Sequence, residues 1–294
     1  MVVGLVGCGA WGALVLRDLR LLGADVDVVA RSAESVARAT EGGARRVVGD
    51  IGGLGDVSAV VVVVPISLHV EVVREALGLG VPVFVEKPLC DDADDADELV
   101  ARGAGQLFVM DKWRYHPGVG VLARMARDGS LGRPRGLRTI RVQADNRHGE
   151  DGVWVLAPHD LAIALEILGE VPRPQAAAGV WDGERLVTLH ALLDTGLGWH
   201  VCEVSERAPM VERRVELHCD DGMAVLAGGW DEHVLVYRAD GSEPARVEAP
   251  GEMPLLAELR AFLAFVDGGP QPRSSVAEGA AAVKAIVGLR ELAA

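Results

Sequence analysis

Aromatic side chains are scarce, with Phe, Trp and Tyr together making up 4% of the 294 residues. The core must therefore be filled mainly by Val, Leu and Ala. Cysteine is scarce as well. Cys8, Cys90, Cys202 and Cys219 lie far apart in the chain, which excludes a disulfide scaffold, a zinc knuckle and a paired redox motif. No run approaches 18 uncharged apolar residues, so no membrane span is expected. The opening MVVGLVG lacks the basic flank of a leader and reads as a strand, and reducing cytoplasm is the expected setting. Basic residues are outnumbered, 29 against 43 acidic, for a formal charge of -14. Such a surface repels a phosphate backbone, which argues against nucleic-acid binding. It leaves room for a single Arg to meet a phosphorylated cofactor. No GxSxG elbow supports a hydrolase. His148, His159 and His190 have no metal-ligand spacing, so no metal is expected.

What is present is strand–helix alternation. Val2–Val6, Val26–Ala30, Val60–Val64, Val81–Val85 and Leu107–Met110 read as strands, with helical stretches between them. Five consecutive valines from Val60 suit a parallel strand covered on both faces, because a half-exposed strand would alternate. The pattern changes after residue 112. Leu137–Ala144 reads as a strand and His159–Leu168 as a helix closed by Gly169. Strand pieces then dominate to Tyr237, punctuated by Asp182-Gly183, Asp221-Gly222 and Asp240-Gly241, which are hairpin signals. Helices return at Met253–Val266 and Val276–Leu289. The expected fold is α/β: an N-terminal Rossmann parallel sheet over 1–112, and over 113–294 an α/β domain on a mixed, largely antiparallel open sheet. The second domain is expected to bind substrate and to oligomerise, and the C-terminal helix to pack back on the first domain.

Gly7-Cys8-Gly9-Ala10-Trp11-Gly12 follows the first strand and opens a helix. Gly7 suits a tight turn, Gly9 close approach of a pyrophosphate, and Gly12 close helix–strand packing, while the helix amides offer an anion site. A turn without a ligand is the plainer reading of the same glycines. The second strand ends in Arg31 and Ser32 where an acidic residue would bind the ribose hydroxyls of NAD(H). Asp27 comes too early in the strand to serve. NADP(H) is therefore the preferred cofactor, with NAD(H) possible and a solvated Arg beside a capping Ser as the alternative. Glu86-Lys87-Pro88 ends a buried strand, where open α/β sheets place ligands. Lys87 is either a catalytic cation oriented by Glu86 or a surface lysine paired to it.

These residues resemble the Gfo/Idh/MocA family, typified by glucose–fructose oxidoreductase and inositol 2-dehydrogenase. Beside the glycine turn, the likeness rests on Pro65, His69, Ala76, Gly80, Val83 and Glu86-Lys87-Pro88. It continues through Trp113-Arg114-Tyr115-His116-Pro117, Gly129 to Gly132, Ala157-Pro158-His159-Asp160 and Leu168-Gly169. The resemblance implies hydride transfer between a nicotinamide and a sugar, nucleotide-linked sugar or cyclitol, with Lys87 and His159 catalytic. It also implies a homodimer or homotetramer formed through the open sheet. Many members carry an aspartate four residues before the histidine, and here that position is Val155.

A reductase of keto groups is the expected activity, with His159 or Lys87 protonating the new alkoxide and Tyr115 as a substitute acid. Pro65, His69, Glu86 and Pro88 join the cofactor-site candidates. Arg114, Tyr115, Trp154, His159 and Asp160 are the substrate-site candidates, with Lys112 and Arg141 as further cations. The competing readings are a non-catalytic dinucleotide sensor and a reductase of a cyclic imine.

Overall fold

The computed structural model describes residues 1–144 and 151–294, so His148 lies outside the described residues. The chain forms two compact units: Met1–Lys112 with Leu255–Val283, and Trp113–Pro254 with Lys284–Ala294.

In the first unit the elements run β1 (Val2–Val6), α1 (Ala10–Leu21), β2 (Asp25–Val29), α2 (Ala33–Glu41), β3 (Arg46–Val48), β4 (Ala59–Val62), α3 (His69–Leu77), β5 (Val83–Glu86), α4 (Ala93–Gly103) and β6 (Leu107–Met110). The strands are parallel in the order β3-β2-β1-β4-β5-β6. Chain order reverses between β1 and β4, and the carboxyl ends of strands at such a switch are where these sheets bind ligands. The valine run behaves as its composition demands, for Val60, Val61 and Val62 are fully buried. The strand stops at Val62, two residues short of the run's end.

The second unit contains α5 (Pro117–Asp128), β7 (Pro134–Ala144), α6 (Gly152–Leu168), β8 (Arg173–Asp182), β9 (Arg185–Thr195), β10 (Gly198–Ser205), β11 (Arg207–Cys219), β12 (Gly222–Leu226), β13 (His233–Arg238) and β14 (Ala245–Glu248). Its sheet has the order β14-β13-β12-β11-β7-β10-β9-β8, and among the described residues only β7 and β10 pair in parallel. The Asp-Gly pairs fall at hairpin turns, with positive φ at Gly183 and Gly241. Helices α7 (Pro254–Val266) and α8 (Val276–Leu292) end the chain. From Leu255 onward α7 belongs to the first unit, where Phe262 stacks on Phe84 with ring centres 4.7 Å apart.

Helix α6 starts seven residues before the expected His159. Pro158 reads as a helix breaker, yet it lies inside the helix, whose first turn is capped by Asp151 accepting from Val153 N (3.0 Å) and Trp154 N (3.4 Å). Proline removes one donor from the ladder, but fourteen of the seventeen residues of α6 are buried, and that apolar burial outweighs the lost bond.

Asp27 is fully buried in β2 and accepts from Arg45 (2.7 Å to each carboxylate oxygen) and from Arg46 (2.7 Å). The Arg45 hydrogen bond, aided by Arg46, lowers its pKa to about 2. The paired carboxylate stabilises the fold above its unfolded pKa, and that contribution disappears as pH falls from about 4 to about 2. Asp27→Asn should cost about 1–2 kcal/mol at neutral pH, discounting for two half-exposed guanidinium partners. Thermal melts across that acid window should show the difference between variant and parent closing; a gap that persists at pH 2 contradicts the assignment.

Candidate active site

In the first unit the glycine turn separates into three physical roles. Gly7 has φ +97°, and a Cβ there would overlap the Val63 carbonyl. A Cβ on Gly12 would overlap the carbonyl of Gly7. Those two glycines are required by the backbone itself. Gly9 is not: its φ is -68°, open to any residue, and a Cβ there would meet nothing within 4 Å. It is exposed, and as the N-cap of α1 it offers no side-chain cap to the first amides of that helix. Open space over uncapped helix amides fits a dinucleotide pyrophosphate. Cys8 is buried in the same turn, and burial raises its thiol pKa, which suits a packing residue rather than a nucleophile. Ala10 and Trp11 form the first turn of α1, and the Lys112 ammonium lies 4.1 Å from the Trp11 ring centre.

Arg31 and Ser32 follow β2. Arg31 is exposed, with its Nε donating to the Gly49 carbonyl (3.3 Å). Ser32 is the N-cap of α2, its hydroxyl accepting from Ser35 N (3.1 Å). Asp27 is fully buried and committed to Arg45 and Arg46.

Glu86, Lys87 and Pro88 follow from the end of β5, and the Lys87–Pro88 peptide is cis. Glu86 is pushed up in pKa by burial, a shift opposed by the charges of Lys87 and Lys112 and by the Trp11 indole. This brings Trp11, Glu86, Lys87 and Lys112 into one electrostatic group. Sequence reasoning missed a further member: Glu258 of α7 is buried beside Glu86 and Asp111, and burial with two like charges raises its pKa well above the ordinary carboxylate range. A single acidic residue on an apolar helix face was the available signal. His69 is buried, with Nδ1 2.8 Å from the Pro88 carbonyl and Nε2 2.9 Å from the Val64 carbonyl. It ties the β5 turn to the segment after β4, in which Pro65 is exposed and starts a short turn.

In the second unit, Trp113, Arg114 and Tyr115 continue a short 3-10 turn that begins at Lys112. Trp113 stacks on His116 (4.9 Å) and lies 6.5 Å from the His159 ring. Arg114 is buried and donates to Glu166 (3.1 Å), which commits its charge. Tyr115 is half-buried. On α6, Val155 and His159 are both half-buried and four residues apart, hence on one face. Trp154 and Asp160 are buried. Asp160 turns to Arg141, which donates through Nε (2.8 Å), and burial raises the aspartate's pKa against that pairing. Among the described residues, no three His, Cys, Asp or Glu side chains are grouped to hold a metal ion, and no helix is long and apolar enough to cross a membrane.

With this geometry in place, comparison with known proteins identifies the family. A family model described as an oxidoreductase family with an NAD-binding Rossmann fold matches residues 1–107. Inositol 2-dehydrogenase 1 of Paenarthrobacter aurescens (strain TC1) is 31% identical over 269 residues, covering 79% of this chain and 78% of that protein. The chain belongs to the Gfo/Idh/MocA family. UDP-N-acetylglucosamine 3-dehydrogenase of Acidithiobacillus ferrooxidans is 30% identical over 151 residues, 49% of this chain and 47% of that protein. A solved structure of that enzyme has the same fold, with a TM-score of 0.85 at 23% identity over 99% of this chain and 97% of that one. A dTDP-3,4-didehydro-2,6-dideoxy-alpha-D-glucose 3-reductase of Streptomyces antibioticus is 31% identical over 59% of each chain. In sequence, therefore, the match spans only about half the length of these last two curated relatives.

The three glycines make separable predictions. Gly9→Val should fold with an unchanged melting temperature yet weaken dinucleotide binding at least tenfold, because its side chain fills space the fold leaves open. Gly12→Ala should lower the melting temperature. Equal binding by Gly9→Val in a fluorescence titration with NADPH and NADH rejects the phosphate assignment.

Proposed function

We propose that this protein is a nicotinamide-dependent oxidoreductase acting on a carbohydrate-like alcohol or ketone, with NADP(H) preferred and reduction of the ketone as its main direction. The observation that carries the reading is Gly9: the backbone does not require a glycine there, and the space it leaves lies over uncapped helix amides. Gly7 to Gly12 would hold the pyrophosphate, and Arg31, exposed at the end of β2, would meet a 2′-phosphate. The bound nicotinamide supplies or accepts the hydride.

The remaining work falls to this chain's side chains. Lys87 presents an ammonium to the reacting oxygen and stabilises the negative charge that grows there. His69, fixed on two carbonyls, keeps the Lys87 turn in place. His159 holds the proton that the new alkoxide takes. Val155 stands where many family members carry an aspartate, and this departure supports a reaction other than ordinary polyol oxidation. Tyr115 is a second donor, and Trp154 shapes the start of α6. The names of the relatives support a sugar, nucleotide-linked sugar or cyclitol as substrate. The exposed apolar side chains of the second sheet, among them Val180, Leu192 and Met210, support a homodimer or homotetramer formed across it.

The test is NADPH oxidation over a panel of keto-sugars. Lys87→Met should reduce kcat by at least 100-fold while leaving NADPH affinity within threefold, consistent with loss of one transition-state donor. Undiminished turnover by the folded variant rejects the role. Wild type should bind NADPH at least tenfold more tightly than NADH, with Arg31→Ala narrowing the gap; tighter NADH binding rejects the cofactor preference.

A further inference from the structure

On the face of the second sheet that α6 covers, Arg141 of β7 and Arg213 of β11 are direct cross-strand partners. Like charges placed opposite one another in an antiparallel pair destabilise it. Among the described residues one carboxylate acts on both: Asp160 accepts from Arg141 Nε at 2.8 Å and reaches Arg213 through its field. The other face of the same strands is arranged differently. There Arg214 pairs with Glu216 at 2.5 Å, and Arg138 lies 3.7 Å from Glu216 and 3.8 Å from Glu203. Among the described residues of these strands, the excess positive charge lies on the covered face.

Among the described residues, Asp160 is the single charged acceptor of the pair's hydrogen bonds. A guanidinium has five N–H groups. Arg141 is only 3% exposed, and among the described residues Nε is its one hydrogen-bonding nitrogen. Its guanidinium carbon instead lies 4.3 Å from the centre of the Trp113 ring, the same ring that His159 approaches. Arg213 donates to the carbonyls of Val142 (2.7 Å) and Glu212 (2.8 Å) and to Gln143 Oε1, all neutral acceptors. Buried charges are ordinarily paired. Among the described residues, the two guanidinium groups carry more positive charge than Asp160 returns, and Arg141 lies against the Trp113 ring that His159 approaches.

We propose that Arg141 and Arg213 form an anion-recognising pair, so that the substrate carries a carboxylate or phosphate group which binds beside Trp113 and His159. This rests on the reading of the second unit as the substrate unit. Planar guanidinium forks match both groups, and the shared requirement is a pair of anionic oxygens. Asp160 is the positioning residue: it fixes Arg141 through Nε and leaves the Nη edge for the ligand.

The test uses the full-length protein without cofactor, titrated with inorganic phosphate, D-glucuronate and D-glucose at ionic strength held constant with chloride. Tryptophan fluorescence is the readout, since Trp113 carries the Arg141 guanidinium. At least one anion should give a saturable change, glucose should give none at the same concentration, and Arg213→Gln should weaken the anion at least tenfold. Response to phosphate alone assigns a phosphorylated substrate and response to glucuronate alone assigns an acidic sugar; either supports the pair. Absence of saturation with both anions, an equal response to glucose, or an unchanged Arg213→Gln overturns it. If Arg213→Gln does not fold, Arg213→Lys keeps the charge and removes the fork, and unchanged affinity in that variant is equally fatal. Because no turnover is measured, anion binding in a protein inactive on every keto-sugar supports the pair while counting against the oxidoreductase reading.

Discussion

The contact on which the first unit depends is between backbone and backbone: Gly7 against the Val63 carbonyl, and Gly12 against Gly7. Side chains at either glycine would force the β1–α1 turn away from the end of β4. That turn stands where strand order reverses, between the two central strands of the sheet. Because Gly7 and Gly12 are consumed by packing, the helix amides are brought to the strand ends without a side chain to cap them. Gly9 is then the residue whose smallness has no structural explanation, and a missing explanation of that kind points to a ligand.

Buried charge in this protein falls into two regimes. Asp27 is neutralised twice over by Arg45 and Arg46, and its low pKa expresses a satisfied structural site. Glu86, Glu258 and Asp160 are shifted upward because burial exceeds what their partners return. The first two belong with Lys87 and Lys112, the third with Arg141. Groups held in such unbalanced surroundings concentrate where chemistry or recognition occurs, because the fold gains nothing from them by itself. The cysteines show the other outcome of burial. The Cys90 and Cys219 thiols are pushed up to about 12 and about 11, which leaves them unreactive at neutral pH.

Most of the architecture was legible because it is written in periodicities. Continuous valines marked the covered central strand, Asp-Gly pairs marked the hairpins, and glycine spacing marked the first turn. The features that stayed hidden required knowledge of partners distant in the chain. Asp27 could be seen to stand too early for a ribose, but nothing local indicated Arg45 and Arg46 as its partners. Arg213 was invisible in the strand Arg207–Cys219 because a run of Glu-Arg-Arg says nothing about which face each residue takes. Arg114 could be read either as a substrate contact or as a surface salt-bridge partner, and its carboxylate partner Glu166, 52 residues later in the chain, was not visible locally. Glu258 sat in an apolar helix without any motif.

In α6, tertiary packing overrides a local signal and thereby sets the chemistry of the helix. Taken alone, Pro158 suggests a loop that ends just before His159, with Val155 detached from it. Burial of nearly the whole helix keeps the chain helical through the proline, and this puts Val155 and His159 one turn apart on a shared, half-buried stripe. Adjacent residues on a helix point about 100° apart, so Asp160 is directed into the sheet face, where it meets Arg141, while His159 stays at the edge. One dipeptide thereby sends two side chains different ways: the histidine stays half-buried, where the proposed proton transfer would need it, and the aspartate is bound to a guanidinium. The absence of a carboxylate at 155 is then coherent with its presence at 160. The acid of this turn of the helix meets Arg141, and the imidazole one residue earlier stays half-buried on the Val155 stripe.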